Sequence, residues 1–299
     1  MNDLLKAYKT CFSQKHKFKM KFRSKKALSQ TITIQGRDYG RSRGEYAKLF
    51  GPGKMKSGEK LPLKIDYACK VKKTFPLNEY YLIIPRPIAI EHVSDNQGSV
   101  VSLDPGVRTF FTCYNPDGSV IEWGKNDIQR VYQLCFHLDK LFSNAYSKTI
   151  RHRKRYKLKR AMARLRKKIR CLVDEMHHKL ARWLCQTHSI ILIPKFNTSQ
   201  MVTKTKRNIG SKTARAMCTW AHYRFRMFLL DKSRSFPGCK VIECDEHYTS
   251  KTCGACGELN NTLGGSKTFH CKKCGYNADR DFNGARNVLL RYLSINKFS

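Results

Sequence analysis

Two hundred and ninety-nine residues suffice for about two domains, and a 41% hydrophobic content supplies a core, which excludes fibrous and wholly disordered readings. Fifty-nine Lys and Arg against 22 Asp and Glu leave a formal charge of +37 at pH 7, an excess that asks for a polyanionic partner. The longest apolar runs, residues 80–84 and 190–193, fall far short of the roughly 20 residues of a membrane span, and residues 1–6 lack the apolar stretch of a secretory signal, so an intracellular setting is expected.

Residues 17–23 alternate basic and apolar side chains, which predicts a strand with one lysine-rich face. Residues 30–34 and 67–84 continue as strands, so region 1–98 reads as a β-rich unit that binds nucleic acid. From Ser99 the pattern becomes a meander. Val100 to Asp104 is an apolar run ending in an acid, Pro105-Gly106 turns, and Val107 to Tyr114 forms a second strand. Asn115-Pro116-Asp117-Gly118 is a hairpin turn signal before a third strand, Ser119 to Trp123. Ile128, Val131, Cys135, Leu138, Phe142 and Ala145 then recur at helical spacing, as do Leu158, Met162, Leu165, Ile169, Leu172 and Met176. These two stripes predict an antiparallel helical hairpin over 126–182, turning near 144–148. Its second arm is densely cationic, with thirteen Lys and Arg and no acid between Lys148 and Arg170. Repulsion among them opposes the helix unless phosphates neutralise it, so Lys148, Arg151, Arg153, Lys154, Arg155, Lys157, Arg160, Arg164 and Lys167 are candidate nucleic-acid contacts.

A fully apolar strand, Ser189 to Ile193, a helix over 214–230 with Trp220, Tyr223 and Met227 on one stripe, and a last strand, Lys240 to Cys244, complete the order. Three strands in hairpins, helices, strand, helix and strand are the connectivity of an α/β, ribonuclease-H-like sheet. Asp104 ends the first buried strand of that sheet, where ligands of open α/β sheets gather.

Cys253, Cys256, Cys271 and Cys274 form two C-x2-C pairs with fourteen residues between them, each pair followed by Gly. Two such knuckles supply four thiolates to a tetrahedral ion, which predicts structural Zn2+ with no open position for catalysis. The other nine cysteines sit at no disulfide-like spacing, as expected of a reducing interior. Beyond the ribbon, Ala285, Val288, Leu289 and Tyr292 have helical spacing, so the ribbon, residues 249–277, is inserted ahead of a final helix whose start carries Asp281.

Leu103-Asp104-Pro105-Gly106-Val107-Arg108, Tyr248-Thr249-Ser250-Lys251-Thr252-Cys253, and Asp279-Arg280-Asp281-Phe282-Asn283-Gly284-Ala285-Arg286-Asn287 resemble three signatures of the transposon-encoded OrfB/TnpB family, relatives of type V CRISPR effectors. The resemblance implies a RuvC nuclease domain over 99–299, preceded by a partial wedge domain over 1–98. It also implies a DNA substrate, a guide-like non-coding RNA and two catalytic Mg2+ ions held by three carboxylates. Asp104 matches the first of these and Asp281 the third. The second departs from the family pattern, because Pro194-Lys195-Phe196 stands where a glutamate is usual. Either the site is dead, leaving a zinc-containing nucleic-acid-binding protein, or another acid fills the gap. Glu246-His247-Tyr248-Thr249-Ser250-Lys251-Thr252-Cys253 resembles the relocated glutamate of the Fanzor relatives, which implies Glu246 as the Mg2+ ligand. Asp245 is expected on the opposite face. The residues before Cys11 leave little room for the family's recognition helices, so the chain reads as short at its N-terminus.

Overall fold

The computed structural model describes residues 2–13, 24, 27–36, 39, 57–62, 64–91, 99–205, 207–245, 247–261, 264 and 266–296. Its chain divides into two compact units, Met1–Arg86 and Pro87–Ser299.

In the first unit, α1 (Asn2–Ser13) precedes a three-stranded antiparallel sheet of β1 (Ser29–Ile34), β2 (Cys69–Thr74) and β3 (Glu79–Ile83), in that order. Period-two alternation gives the sheet one core face, where Ile34, Cys69 and Val71 pack with Tyr39 and Ile65. Lys70, Tyr81 and Ile83 stay exposed on the other face. The expected strand at 17–23 lies outside the described residues.

The second unit is built on a five-stranded sheet of order β6-β5-β4-β7-β8. Its antiparallel half is the meander β4 (Val100–Pro105), β5 (Phe111–Tyr114) and β6 (Val120–Trp123). β7 (Ile190–Pro194) runs parallel to β4, and β8 (Lys240–Cys244) runs parallel to β7. The second strand starts at Phe111 rather than Val107, because residues 106–110 close a tight turn in which Gly106 N–H bonds the Phe110 carbonyl. Both faces of the central strands are covered, as their unbroken apolar runs demand. Val101, Leu103, Ile191 and Ile193 join the helical layer on one face. Leu192 meets Val288 and Leu289 of the last helix on the other.

Between β6 and β7 stand α2 (Asp127–Ala145) and α3 (His152–Thr187), the predicted hairpin. Ile128, Val131, Cys135 and Ala145 are buried on one arm and Met162 and Ile169 on the other. Phe142 departs from that stripe and is 47% exposed. α3 runs five residues beyond the expected end, and its buried stripe moves to Val173, His177, Leu180 and Leu184 where it enters the main core. Between β7 and β8 come the short α4 (Thr198–Val202), then α5 (Ser211–Trp220) and α6 (His222–Lys232). The single helix predicted over 214–230 is thus two, broken where Ala221 adopts φ 54°, ψ 51°. The break turns the buried face to His222, Phe225 and Leu229, so Tyr223 and Met227 are exposed rather than sharing a stripe with Trp220. The cysteine ribbon, with hairpin β9 (Thr268–His270) and β10 (Asn277–Asp279), intervenes before α7 (Arg280–Asn296). Among the described residues, no helix is long and apolar enough to cross a membrane.

Candidate acidic cleft and cysteine metal centre

β4 delivers Asp104 to the carboxyl end of the sheet, and the first turn of α7 delivers Asp281. The two acids, 177 residues apart, line one cleft of about 640 Å³ with Arg108, Phe196, Arg207, Thr249, Ser250, Lys267 and Arg280. Asp104 lies so close to α7 that a Cβ on Gly284 would sit 2.9 Å from its Oδ2. Only glycine at 284 leaves the carboxylate that place. The Asp279 carboxylate accepts the Asp281 N–H at 2.8 Å, capping the start of α7. Burial pushes the Asp281 carboxyl above the ordinary carboxylate range, the neighbouring Asp279 charge adds to the shift, and Arg280 and Arg108 partly offset it. Acids crowded in a cationic cleft are what a divalent ion and a phosphate chain would each neutralise in part.

Glu246 lies outside the described residues. Around it, β8 ends at Cys244, paired with Pro194 of β7. Glu243 is held by Arg226 at 3.2 Å, and Asp245 by Arg291 at 2.8 Å and by His247, so both are engaged away from the cleft lining. In the stretch Pro194-Lys195-Phe196, where a glutamate is usual in the family, Pro194 is buried, Lys195 is exposed and Phe196 lines the cleft.

Sequence reasoning missed the residues that hold the Asp104 turn. Trp220 Nε1–H donates to the Val107 carbonyl at 2.9 Å, and His222 Nε2–H donates to the Gly106 carbonyl at 3.1 Å. The left-handed Ala221 between them is what aims both side chains at one turn. His177 of α3 donates to the Trp220 carbonyl at 2.9 Å. Burial lowers His222 to about 3 and His177 to about 4, so both rings are neutral donors at physiological pH. The helical period of Trp220 and His222 conceals this role; the αL break, which no Gly announces, creates it.

The cysteine quartet is the group of three or more His, Cys, Asp or Glu side chains that converges among the described residues, with ligand atoms all within 4.8 Å of one another. Cys253 Sγ and Cys274 Sγ are 3.7 Å apart, and Cys256 Sγ and Cys271 Sγ 3.6 Å. Thiolates about 2.3 Å from a tetrahedral Zn2+ would stand roughly 3.8 Å apart, so the four fit that ion. The Gly257 and Gly275 N–H groups bond the Cys253 and Cys271 carbonyls, closing two knuckles at φ 76° and 72°. Backbone N–H groups, first that of Cys274, hold the Cys271 thiol down at about 7, which favours the ligating thiolate.

Of the proposed phosphate contacts, Lys148, Arg151, Arg153, Lys154, Lys157, Arg164 and Lys167 are exposed along α3 and the turn before it. Arg155 and Arg160 are half-buried, and Arg155 donates to the Ser147 carbonyl at 3.3 Å.

Residues 83–205 match the family OrfB_IS605, described as "Probable transposase", and residues 222–288 match "Cas12f1-like, TNB domain". The chain is 28% identical over 295 residues to the TnpB-like protein L79 of Acanthamoeba polyphaga mimivirus, covering 94% of this chain and 54% of the relative. It is 33% identical over 129 residues to the CRISPR-associated endodeoxyribonuclease Cas12f1 of Sulfoacidibacillus thermotolerans, covering 42% and 29% respectively. The solved Cas12f1–sgRNA–target DNA complex shares its mixed α/β fold, with a TM-score of 0.51 at 19% identity over 74% of this chain and 45% of that one. The sequence matches therefore lead to transposon-type proteins, and the fold is one shared with a compact CRISPR protein. The chain belongs to the OrfB/TnpB family. It spans about half the length of the curated relatives it matches.

Proposed function

We propose that this chain carries the nuclease module of a transposon-associated, RNA-guided DNA endonuclease. In this reading, residues 99–299 form a ribonuclease-H-like RuvC domain with the ribbon inserted, and 1–98 a wedge-like nucleic-acid-binding region. Asp104, Glu246 and Asp281 would hold two Mg2+ ions. When bound, such ions supply a nucleophilic water and stabilise the leaving oxygen of a phosphodiester. The chain's own residues do the rest. Arg108, Arg207, Lys267 and Arg280 surround the acids and would hold the phosphate chain. The exposed cations of α3 would track a backbone without reading bases. Sequence choice would then rest with a pairing RNA; the Cas12f1 complex is named for an sgRNA and a target DNA.

The observation that carries this reading is the meeting of Asp104 and Asp281 in one cleft ringed by cations. The context around Glu246 agrees with a Fanzor-like member of the family. Glu246→Gln is expected to abolish Mg2+-dependent cleavage while leaving nucleic-acid affinity within about twofold, because an amide loses the charge that binds the ion but keeps its shape. Retained cleavage removes Glu246 from the ligand set. The stretch Pro194-Lys195-Phe196, which offers no carboxylate where the family's glutamate is usual, favours a second reading, a zinc-containing DNA- or RNA-binding protein that does not cut. That protein would bind with the same salt dependence and show no metal-dependent nicking.

A further inference from the structure

Three consecutive residues of α7 reach three different parts of the site. Asn283 Oδ1 accepts the Gly254 N–H of the first cysteine knuckle at 2.9 Å, and its Nδ2 donates to the Thr252 carbonyl at 2.8 Å. Gly284 seats the Asp104 carboxylate. The Ala285 carbonyl accepts from Ser102 Oγ of β4 at 2.8 Å, so helix and strand are locked where Asp104 leaves the sheet. One turn on, Asn287 Nδ2 donates to the carbonyls of Thr249, which lines the cleft, and Thr252, at 2.8 and 2.7 Å. Asn283 is 0% and Asn287 5% exposed, so water cannot replace these bonds if the knuckle moves. The approach is tight, since a Cβ on Gly254 would lie 2.9 Å from Asn283 Oδ1.

The knuckle's own apolar support is small: Phe269, partly buried Tyr276 and the buried cysteines. Its backbone therefore depends on four thiolates sharing one ion. Were the ion lost, the Gly254 N–H and the Thr249 and Thr252 carbonyls would no longer be fixed. The buried amides of Asn283 and Asn287, which flank the Gly284 that seats Asp104, would be left unsatisfied.

We propose that Asn283 and Asn287 are positioning residues that couple the metal state of the cysteine quartet to the divalent-ion affinity of the acidic cleft. This rests on the reading of the cleft as a divalent-ion site. The coupling is reciprocal: an ion in the cleft would also strengthen zinc retention by the same factor.

The test uses the full chain, with Mn2+ as probe followed by electron paramagnetic resonance, and zinc content measured alongside. Asp104→Asn identifies the cleft site. Removing zinc with a chelator, then removing the chelator, is expected to weaken Mn2+ binding about tenfold in the native protein. Asn283→Ala and, independently, the near-isosteric Asn287→Asp are expected to keep one zinc per chain, weaken Mn2+ binding by a similar factor, and make it indifferent to zinc removal. One variant that truncates the side chain and one that keeps its size guard against a general folding failure, which retained zinc and unchanged circular dichroism would also exclude. Native-like Mn2+ affinity in both variants, or an equal zinc effect in native protein and variants, overturns the coupling while leaving the cleft reading intact. A native chain with no Mn2+ site sensitive to Asp104→Asn overturns both.

Discussion

At the residue scale, the candidate chemistry depends on an absent methyl group. With only hydrogen at Gly284, the Asp104 carboxylate rests against the first turn of α7 and shares a cleft with Asp281. Gly284→Ala would press a Cβ against the far end of that side chain, which can swing aside, so folding and zinc content should survive. The ligand would not keep its place, and misplacement near 1 Å is enough to cost about a hundredfold in rate. A cleavage assay on folded variant protein checks this, and an unchanged rate would mean the carboxylate has room to spare. Asp281 gives a separate prediction, in stability. Its folded-state carboxyl is raised by burial, so on raising the pH the unfolded chain loses this proton first. The native state is therefore destabilised progressively from the ordinary carboxylate range up through the raised value, and the loss persists above it. Without divalent ions, Asp281→Asn should melt at a higher temperature than the native protein at pH 7 and at nearly the same temperature near pH 3. Thermal melts at the two pH values decide it. Asp104 and Asp281 are picked out by the two motifs that resemble the family's, and the structure brings both to one cleft; an acid ending an apolar strand or opening a helix does not by itself stand out from a surface carboxylate or a cap. Asn283, Asn287 and His222 were not legible. Each bonds backbone groups far away in sequence, and a buried polar residue leaves no period to read.

At the element scale, strands and the hairpin were legible because alternation and 3.6-residue stripes record which face is buried. What remained hidden was the break at Ala221. The apolar stripe runs straight through it, and a left-handed alanine is paid for by contacts that Trp220 and His222 make elsewhere, not by local propensity. The basic arm of the hairpin was visible as charge, and the structure divides it into exposed cations and the half-buried Arg155 and Arg160. That division predicts a salt effect. Neutralising exposed Lys154, Lys157 and Arg164 together with Gln should reduce the slope of log affinity against log salt by about 2 to 3 on duplex DNA, with little change in stability. Titrations at several salt concentrations measure it. An unaltered slope would assign this face of α3 to something other than phosphate.

At the scale of the whole molecule, a formal charge of +37 is self-repelling, and the acids that converge in its cationic cleft are the exception that requires explanation. The ribbon, the last helix and the first strand of the five-stranded sheet come from distant parts of the chain, yet hydrogen bonds join all three at residues 283–287. The order of these parts could be read from sequence. Their junction could not, because it is made by close approach rather than pattern. The most direct test of the account is cleavage itself. On the proposed reading, purified protein reconstituted with a guide RNA should nick DNA matched to that RNA when Mg2+ is added, and Asp104→Ala, equal in zinc content and DNA affinity, should lose at least about a thousandfold of that rate. Equal background cleavage by the two proteins would contradict the account and leave a zinc-bearing holder of nucleic acid.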